Sequence, residues 1–194
     1  MPLPTSKFFL YNIFMKKFPE VIPIFPLSGV IYFPKTNLPL NIFEQRYLDL
    51  VNDAFKKDKL MGMVQSKKKG NDVYEIGCLG EISDYQKSED GRVLINLTGV
   101  SRFKILKEVR GNKLYREFKV DYKNFVGDIE NNYKEVDAEV LMEKAKTFFN
   151  KNGLLLNWKE FKKLDHLQRI NTLAMISTIT NEEKQKLLEA ISLE

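Results

Sequence analysis

The sequence predicts an α+β protein: a β-rich N-terminal body with one helix after its second strand, followed by about three helices. Three observations carry this. Apolar and polar residues alternate through the first two-thirds of the chain, as in Val93, Ile95 and Leu97. The period changes once within that region, where Phe43, Tyr47, Leu50, Val51, Ala54 and Phe55 recur at helical spacing. Past Val126-Gly127-Asp128 the helical period takes over.

The first strand is Val21–Leu27, an apolar run broken by Pro23 and Pro26. Proline lacks the ladder donor, so this strand is expected at a sheet edge or broken by bulges. Leu38–Ile42 is a second short strand, and the helix follows from about Glu44 to Lys57. Strand pattern returns at Leu60–Gln65. Ser66 to Asp72 has turn composition, and Val73–Ile76 leads into Gly77-Cys78-Leu79-Gly80, where two glycines suggest a bulge or a tight corner. Ser88-Glu89-Asp90-Gly91 is a hairpin turn, Arg92–Thr98 a strand, and Gly99 a bend before the strand of Phe103, Ile105 and Val109. Leu114, Phe118, Val120 and Tyr122 alternate with charged residues as a half-buried strand. Strands this close together imply a small antiparallel barrel or sandwich.

The first C-terminal helix spans about Tyr133–Asn150 and stops at Lys151-Asn152-Gly153. Asn157 with Glu160 reads as the cap of a longer helix to about Ser177. Thr180 with Glu183 reads as a capping box for a last helix, Glu182–Ile191. The division is therefore 1–19 as an N-terminal extension with little order expected, 20–125 as the β-rich subdomain and 126–194 as the helical subdomain. Residues 1–14 read as upstream of a start at Met15-Lys16-Lys17.

Composition narrows the function. The chain has 194 residues, 43% hydrophobic and 29% charged, with a net charge of +5 from 31 basic and 26 acidic residues. This is an ordinary soluble composition without the basic stripe of a dedicated nucleic-acid binder. One cysteine, Cys78, allows no intrachain disulfide and suits a reducing cytoplasm. No apolar run reaches membrane-spanning length, and the start lacks the features of a signal peptide. The single histidine, His166, reads as a solvent-facing residue within a helix and cannot build a histidine-rich metal site. There is no P-loop, no G-x-G-x-x-G and no nucleophile elbow. Cys78 between strand residues reads as a small buried hydrophobe. Lys67-Lys68-Lys69 reads as a solvated hairpin tip. No catalytic residue, cofactor or metal is expected, and the chain is read as a non-enzyme.

Two blocks carry a family pattern. The first contains Phe25-Pro26-Leu27, Phe33-Pro34, Leu38-Pro39-Leu40, Phe43-Glu44 and Arg46-Tyr47. The second contains Gly77, then Asp90-Gly91-Arg92, Gly99 and Arg102-Phe103. In order and spacing they resemble the Lon protease N-terminal (substrate-binding) domain family over about residues 20–125. The closing NEEKQKLLEA is similar to short stand-alone bacterial members without ATPase or protease modules. Lys35 stands where the family has a glycine, and Gln45 where it has a proline.

The resemblance implies a small β-barrel-like (PUA-like) body followed by helices. It implies a non-enzymatic, cytoplasmic protein-binding module in protein quality control, with unfolded or partner polypeptides as ligands. Similar domains, cereblon's among them, serve protein–protein contacts. The alternative is RNA binding through a PUA-like barrel. The signature positions read mainly as structural. Glu44 and Arg46 are expected to hold the strand-to-helix joint, and a Pro-interrupted edge strand is expected to accept an extended peptide.

Overall fold

The computed structural model describes residues 18–67, 71–130 and 138–191. The expected extension 1–19 lies outside the described residues up to residue 17, as do Lys68 and Lys69 of the hairpin tip and the start of the first C-terminal helix. The strands are β1 (Val21–Leu27), β2 (Asn37–Ile42), β3 (Leu60–Gln65), β4 (Ile76–Lys87), β5 (Val93–Val109) and β6 (Arg116–Asp121). Helix α1 (Gln45–Lys56) lies between β2 and β3. After β6 come a 3-10 turn (Lys123–Phe125) and helices α2 (Gly127–Glu130), α3 (Ala138–Lys151), α4 (Trp158–Phe161), α5 (His166–Ile176) and α6 (Asn181–Glu189).

The expected barrel is corrected. The strands form one six-stranded sheet in the order β2-β5-β4-β3-β1-β6. β1 and β3 run parallel and the other neighbours antiparallel. The long β5 pairs with β2 through its first half and also with β6 through its second. Apolar side chains occupy both faces of the central strands, so two cores form where a barrel would have one interior. Ile22 and Ile24 of β1, Val64 of β3, Leu79 of β4 and Phe103 of β5 lie in one core. Phe25, Met61, Met63, Cys78 and Ile82 lie in the other, under α1. Tyr47, Leu50, Val51 and Ala54 are the buried stripe of α1. Burying Leu50 and Val51 contributes about 1.5–3 kcal/mol each.

β1 is not an edge strand. It pairs with β6 over Val21–Ile24 and with β3 over Ile24–Leu27. The Val120 N–H donates to the Glu20 carbonyl at 2.8 Å, so even-numbered residues here turn their backbone groups toward β6. Pro23 therefore turns its nitrogen toward β3 one residue before that pairing begins, and Pro26 toward β6 after that pairing has ended. Both prolines fit an interior strand because neither sits where a ladder donor is needed.

Gly99 lies within β5 rather than ending a strand. A Cβ there would collide with the Phe33 carbonyl oxygen. The absent side chain lets the segment before β2 close onto β5, with Lys35 N–H donating to the Gly99 carbonyl at 2.8 Å.

The C-terminal helices form a bundle laid against the sheet. The expected long helix from Asn157 is two helices. Asn157 accepts the Glu160 N–H at 3.3 Å and caps only α4. Asp165 then caps α5, its side chain and that of Gln168 satisfying each other's backbone donors. His166 is accordingly the first residue of α5 and half-buried, not mid-helix and solvent-facing. Thr180 and Glu183 form the capping box of α6. Trp158 joins α4 to α3 through an edge-on contact with Phe149 at 5.6 Å. Among the described residues no helix is long and apolar enough to cross a membrane.

Candidate protein-binding surface

Every strand but β2 has sheet neighbours on both sides, among the described residues. β2 pairs only with β5, from Asn37 opposite Thr98 to Ile42 opposite Val93. The Gly99 N–H donates to the Thr36 carbonyl at 2.9 Å, so even-numbered residues face β5. Asn37, Pro39 and Asn41 then direct their backbone outward along the free edge. Pro39 sits at its centre without an N–H, which blunts the edge against indiscriminate pairing while leaving the donors of Asn37 and Asn41.

The side chains of β2 and of the β5 residues opposite it are uncharged. Asn41 lies opposite Leu94, which is 43% exposed. Thr98 Oγ1 lies 3.0 Å from both Asn37 Oδ1 and Ser83 Oγ, and Asn96 Nδ2 donates to Ser83 Oγ at 3.0 Å. Phe43 follows directly after β2 and leaves 66% of its surface in solvent, a large apolar exposure at the start of α1.

Glu44 is the N-cap of α1, yet its side chain accepts no backbone N–H there. Its carboxylate instead accepts from Arg46, whose Nη2 and Nε lie 2.8 and 3.0 Å from one oxygen, both side chains being about half exposed. The Arg46 guanidinium also lies 4.5 Å from the Tyr47 ring centroid. Tyr47 itself packs on Phe25 of β1 at 4.2 Å between ring centroids. Burial raises the Tyr47 phenol above its ordinary range.

The signature positions separate into two groups. Phe25, Phe33, Pro34, Leu38, Tyr47, Arg102 and Phe103 are buried, and Pro26, Leu27 and Leu40 half-buried. Gly77 and Gly99 allow close backbone approach: a Cβ on Gly77 would strike the Met63 carbonyl oxygen. Pro39 is exposed at the centre of β2, and Phe43, Glu44 and Arg46 are exposed at the β2–α1 joint.

Sequence reasoning missed Asp128, Asn171 and Gln185, which fix the helices to the sheet. Asp128 pairs with Arg102. Asn171 Nδ2 donates to the Pro34 carbonyl at 2.9 Å and Gln185 Nε2 to the Ile76 carbonyl at 3.1 Å. Polar residues on helices give no periodic signal. Asp128 was readable only as part of a turn.

Cys78 is fully buried, and burial pushes its thiol well up. Among the described residues no group of three His, Cys, Asp or Glu could hold a metal ion.

A family model described as the ATP-dependent protease La (LON) substrate-binding domain matches residues 21–194. The Lon protease of Syntrophus aciditrophicus is 28% identical over 193 residues, covering 91% of this chain and 24% of that protein. The Lon protease of Dictyoglomus thermophilum is 27% identical over 188 residues, covering 89% and 23%. The chain thus spans about a quarter of the length of these relatives. Among solved structures, a Lon N-terminal domain protein from Xanthomonas campestris superposes with a TM-score of 0.63 at 21% identity, covering 89% of this chain and 91% of the other. The N-terminal domain of Mycobacterium avium complex Lon protease gives 0.59 at 15% identity, with the same coverage. These two likenesses concern the fold.

Proposed function

This chain belongs to the LON substrate-binding-domain family, and from that premise we propose that it works as a non-catalytic module that binds extended, unfolded polypeptide segments. The observation that carries the reading is β2: a strand open on one side among the described residues, with uncharged residues opposite it on β5 and the exposed Phe43 at its end. An extended segment added along this edge would gain main-chain hydrogen bonds from Asn37 and Asn41 and an apolar contact from Phe43 and Leu94. Such contacts depend little on the ligand's sequence, which suits clients recognised by being unfolded. In this reading residues 20–125 present the surface, residues 126–194 brace the sheet, and the signature residues Pro39, Phe43, Glu44 and Arg46 shape the binding edge. The setting is the cytoplasm, in protein quality control.

The test is pull-down and anisotropy with a reduced, carboxymethylated model protein beside its native form. Binding to the unfolded form alone is expected. Equal binding to both forms, or binding to neither, overturns the reading.

A further inference from the structure

A small cavity lies where three parts of the fold meet: the β1–β2 connection at Val30 and Tyr32, the end of β3 at Gln65, and α6 at Gln185 and Leu188. Its volume is about 10 Å³ measured at water centres, which is room for about one water molecule. Three of its lining residues carry a buried oxygen with no hydrogen-bond partner among the described residues: Tyr32 Oη, Gln65 Oε1 and Gln185 Oε1. Tyr32 and Gln185 are each 2% exposed.

The orientation of Gln185 is fixed. Its Nε2 donates to the Ile76 carbonyl at 3.1 Å and to Glu189 Oε1 at 2.9 Å, so turning the amide over would break both bonds. The residues lining the cavity therefore carry an amide oxygen acceptor on α6, a second on β3, and a phenolic hydroxyl able to donate. Three unanswered polar groups around one water-sized space is an uncommon arrangement in a folded protein.

We propose that this cavity is a built site for one ordered water molecule, which donates to Gln65 Oε1 and Gln185 Oε1 and accepts from the Tyr32 hydroxyl. The complementarity is complete: a water has two protons for the two carbonyl oxygens and a lone pair for the hydroxyl. An apolar occupant would leave all three groups unanswered. The site links β3, the β1–β2 connection and α6, so it belongs to the bracing of the helices against the sheet and is independent of what the β2 edge binds.

Two measurements decide it. Tyr32→Phe keeps the ring and removes a hydroxyl that bonds to no described residue. If the cavity holds water, the variant loses a satisfied bond and Tm falls by about 2–4 °C, a shift equivalent to about 1 kcal/mol in a chain of this size. If the cavity is dry, an unsatisfied buried hydroxyl has been deleted and Tm holds or rises, which overturns the site. A crystal structure of the unaltered chain is expected to show a water within hydrogen-bond distance of all three oxygens. A cavity without that density also overturns it.

Discussion

Arg102 and Asp128 form a buried two-bond ion pair, Nε and Nη2 of the guanidinium meeting the two carboxylate oxygens at 2.9 and 2.8 Å. Their side chains are 10% and 1% exposed. The same carboxylate accepts the Arg102 backbone N–H at 2.9 Å, and Arg102 Nη1 donates to the carbonyls of Leu188 and Ala190 at 3.2 and 2.5 Å. One residue of β5 therefore holds both α2, which carries Asp128, and the end of α6. Leu188 and Ala190 supply carbonyls that the helix end leaves without a helical partner. The sheet and the helices that follow it are joined by bonds that hold only in one relative position.

Removing one partner leaves the other buried charge without its ion-pair counterpart. Asp128→Asn is expected to destabilise the chain by about 3–5 kcal/mol, read as the loss in a urea unfolding curve. The Arg102→Met, Asp128→Leu double variant is expected to recover part of that loss, since neither charge remains. If Asp128→Asn unfolds at the urea concentration of the unaltered chain, the pair does not brace the helices.

Lys35 occupies a backbone conformation that favours glycine. Its φ is +58°, the left-handed region, which costs an ordinary residue about 1 kcal/mol. The Lys35 Nζ lies 3.0 Å from Asp165 Oδ2, a partly exposed ion pair worth about 1 kcal/mol. Lys35→Gly relieves the backbone and loses the pair. The expected outcome is a melting temperature equal to or above that of the unaltered chain, and Lys35→Ala, which loses the pair and keeps the strain, is expected to melt lower than either.

These two cases mark where the fold was legible in the sequence and where it was not. Local pattern gave β1, β3 and α1 to within a residue at each end, because each rests on its own period. Pairing was not local. Pro23 and Pro26 suggested an edge strand, and only the order of neighbours revealed that each faces a gap in its ladder. The free edge belongs to β2, where Pro39 has the same chemistry and the opposite meaning. Gly99 suggested a bend, while its neighbour in space, Phe33, explains it by close approach within a continuous strand. The barrel expectation failed for the same reason: alternation gives the two faces of a strand and cannot say that both are covered. Of the candidate surface, Phe43, Glu44 and Arg46 were named from sequence, but their exposure and their closeness to a free edge depend on the sheet order.

Alkaline pH should act through the tyrosines. Tyr115 donates its hydroxyl to Asp53 Oδ2 at 2.7 Å, and burial first, then that bond, push its pKa up to about 12 against an opposing pull from Lys113. Burial raises Tyr32 and Tyr122 further still. A folded pKa above the unfolded value of 10.0 means stability that is whole below pH 10 and lost as pH climbs through about 12. Titration followed at 295 nm is expected to show the buried tyrosines ionising only together with loss of the circular dichroism signal. Tyr115→Phe is expected to remove the step near pH 12. A single transition of all tyrosines near pH 10, with the fold intact, would contradict the burial on which this rests.

The binding edge makes its own prediction, and its sign is informative. Pro39 removes one donor from the centre of the free edge, so a segment lying along β2 has one carbonyl without a partner there. Pro39→Thr restores the N–H and keeps a residue suited to strands. If the ligand adds as a strand, the restored bond is worth about 0.5–1.5 kcal/mol, an increase in affinity of about 2- to 10-fold. Phe43→Ala should weaken the same complex by removing the apolar contact at the end of the edge, with little change in thermal stability because that ring is 66% exposed. Glu44→Ala separates surface from scaffold: the carboxylate caps nothing, so Tm should change by less than about 2 °C. Anisotropy of a labelled unfolded peptide reads the affinities. If Pro39→Thr leaves affinity unchanged while Phe43→Ala abolishes it, the ligand is held by its side chains and not by its backbone. If neither variant matters, the binding face lies elsewhere on the molecule.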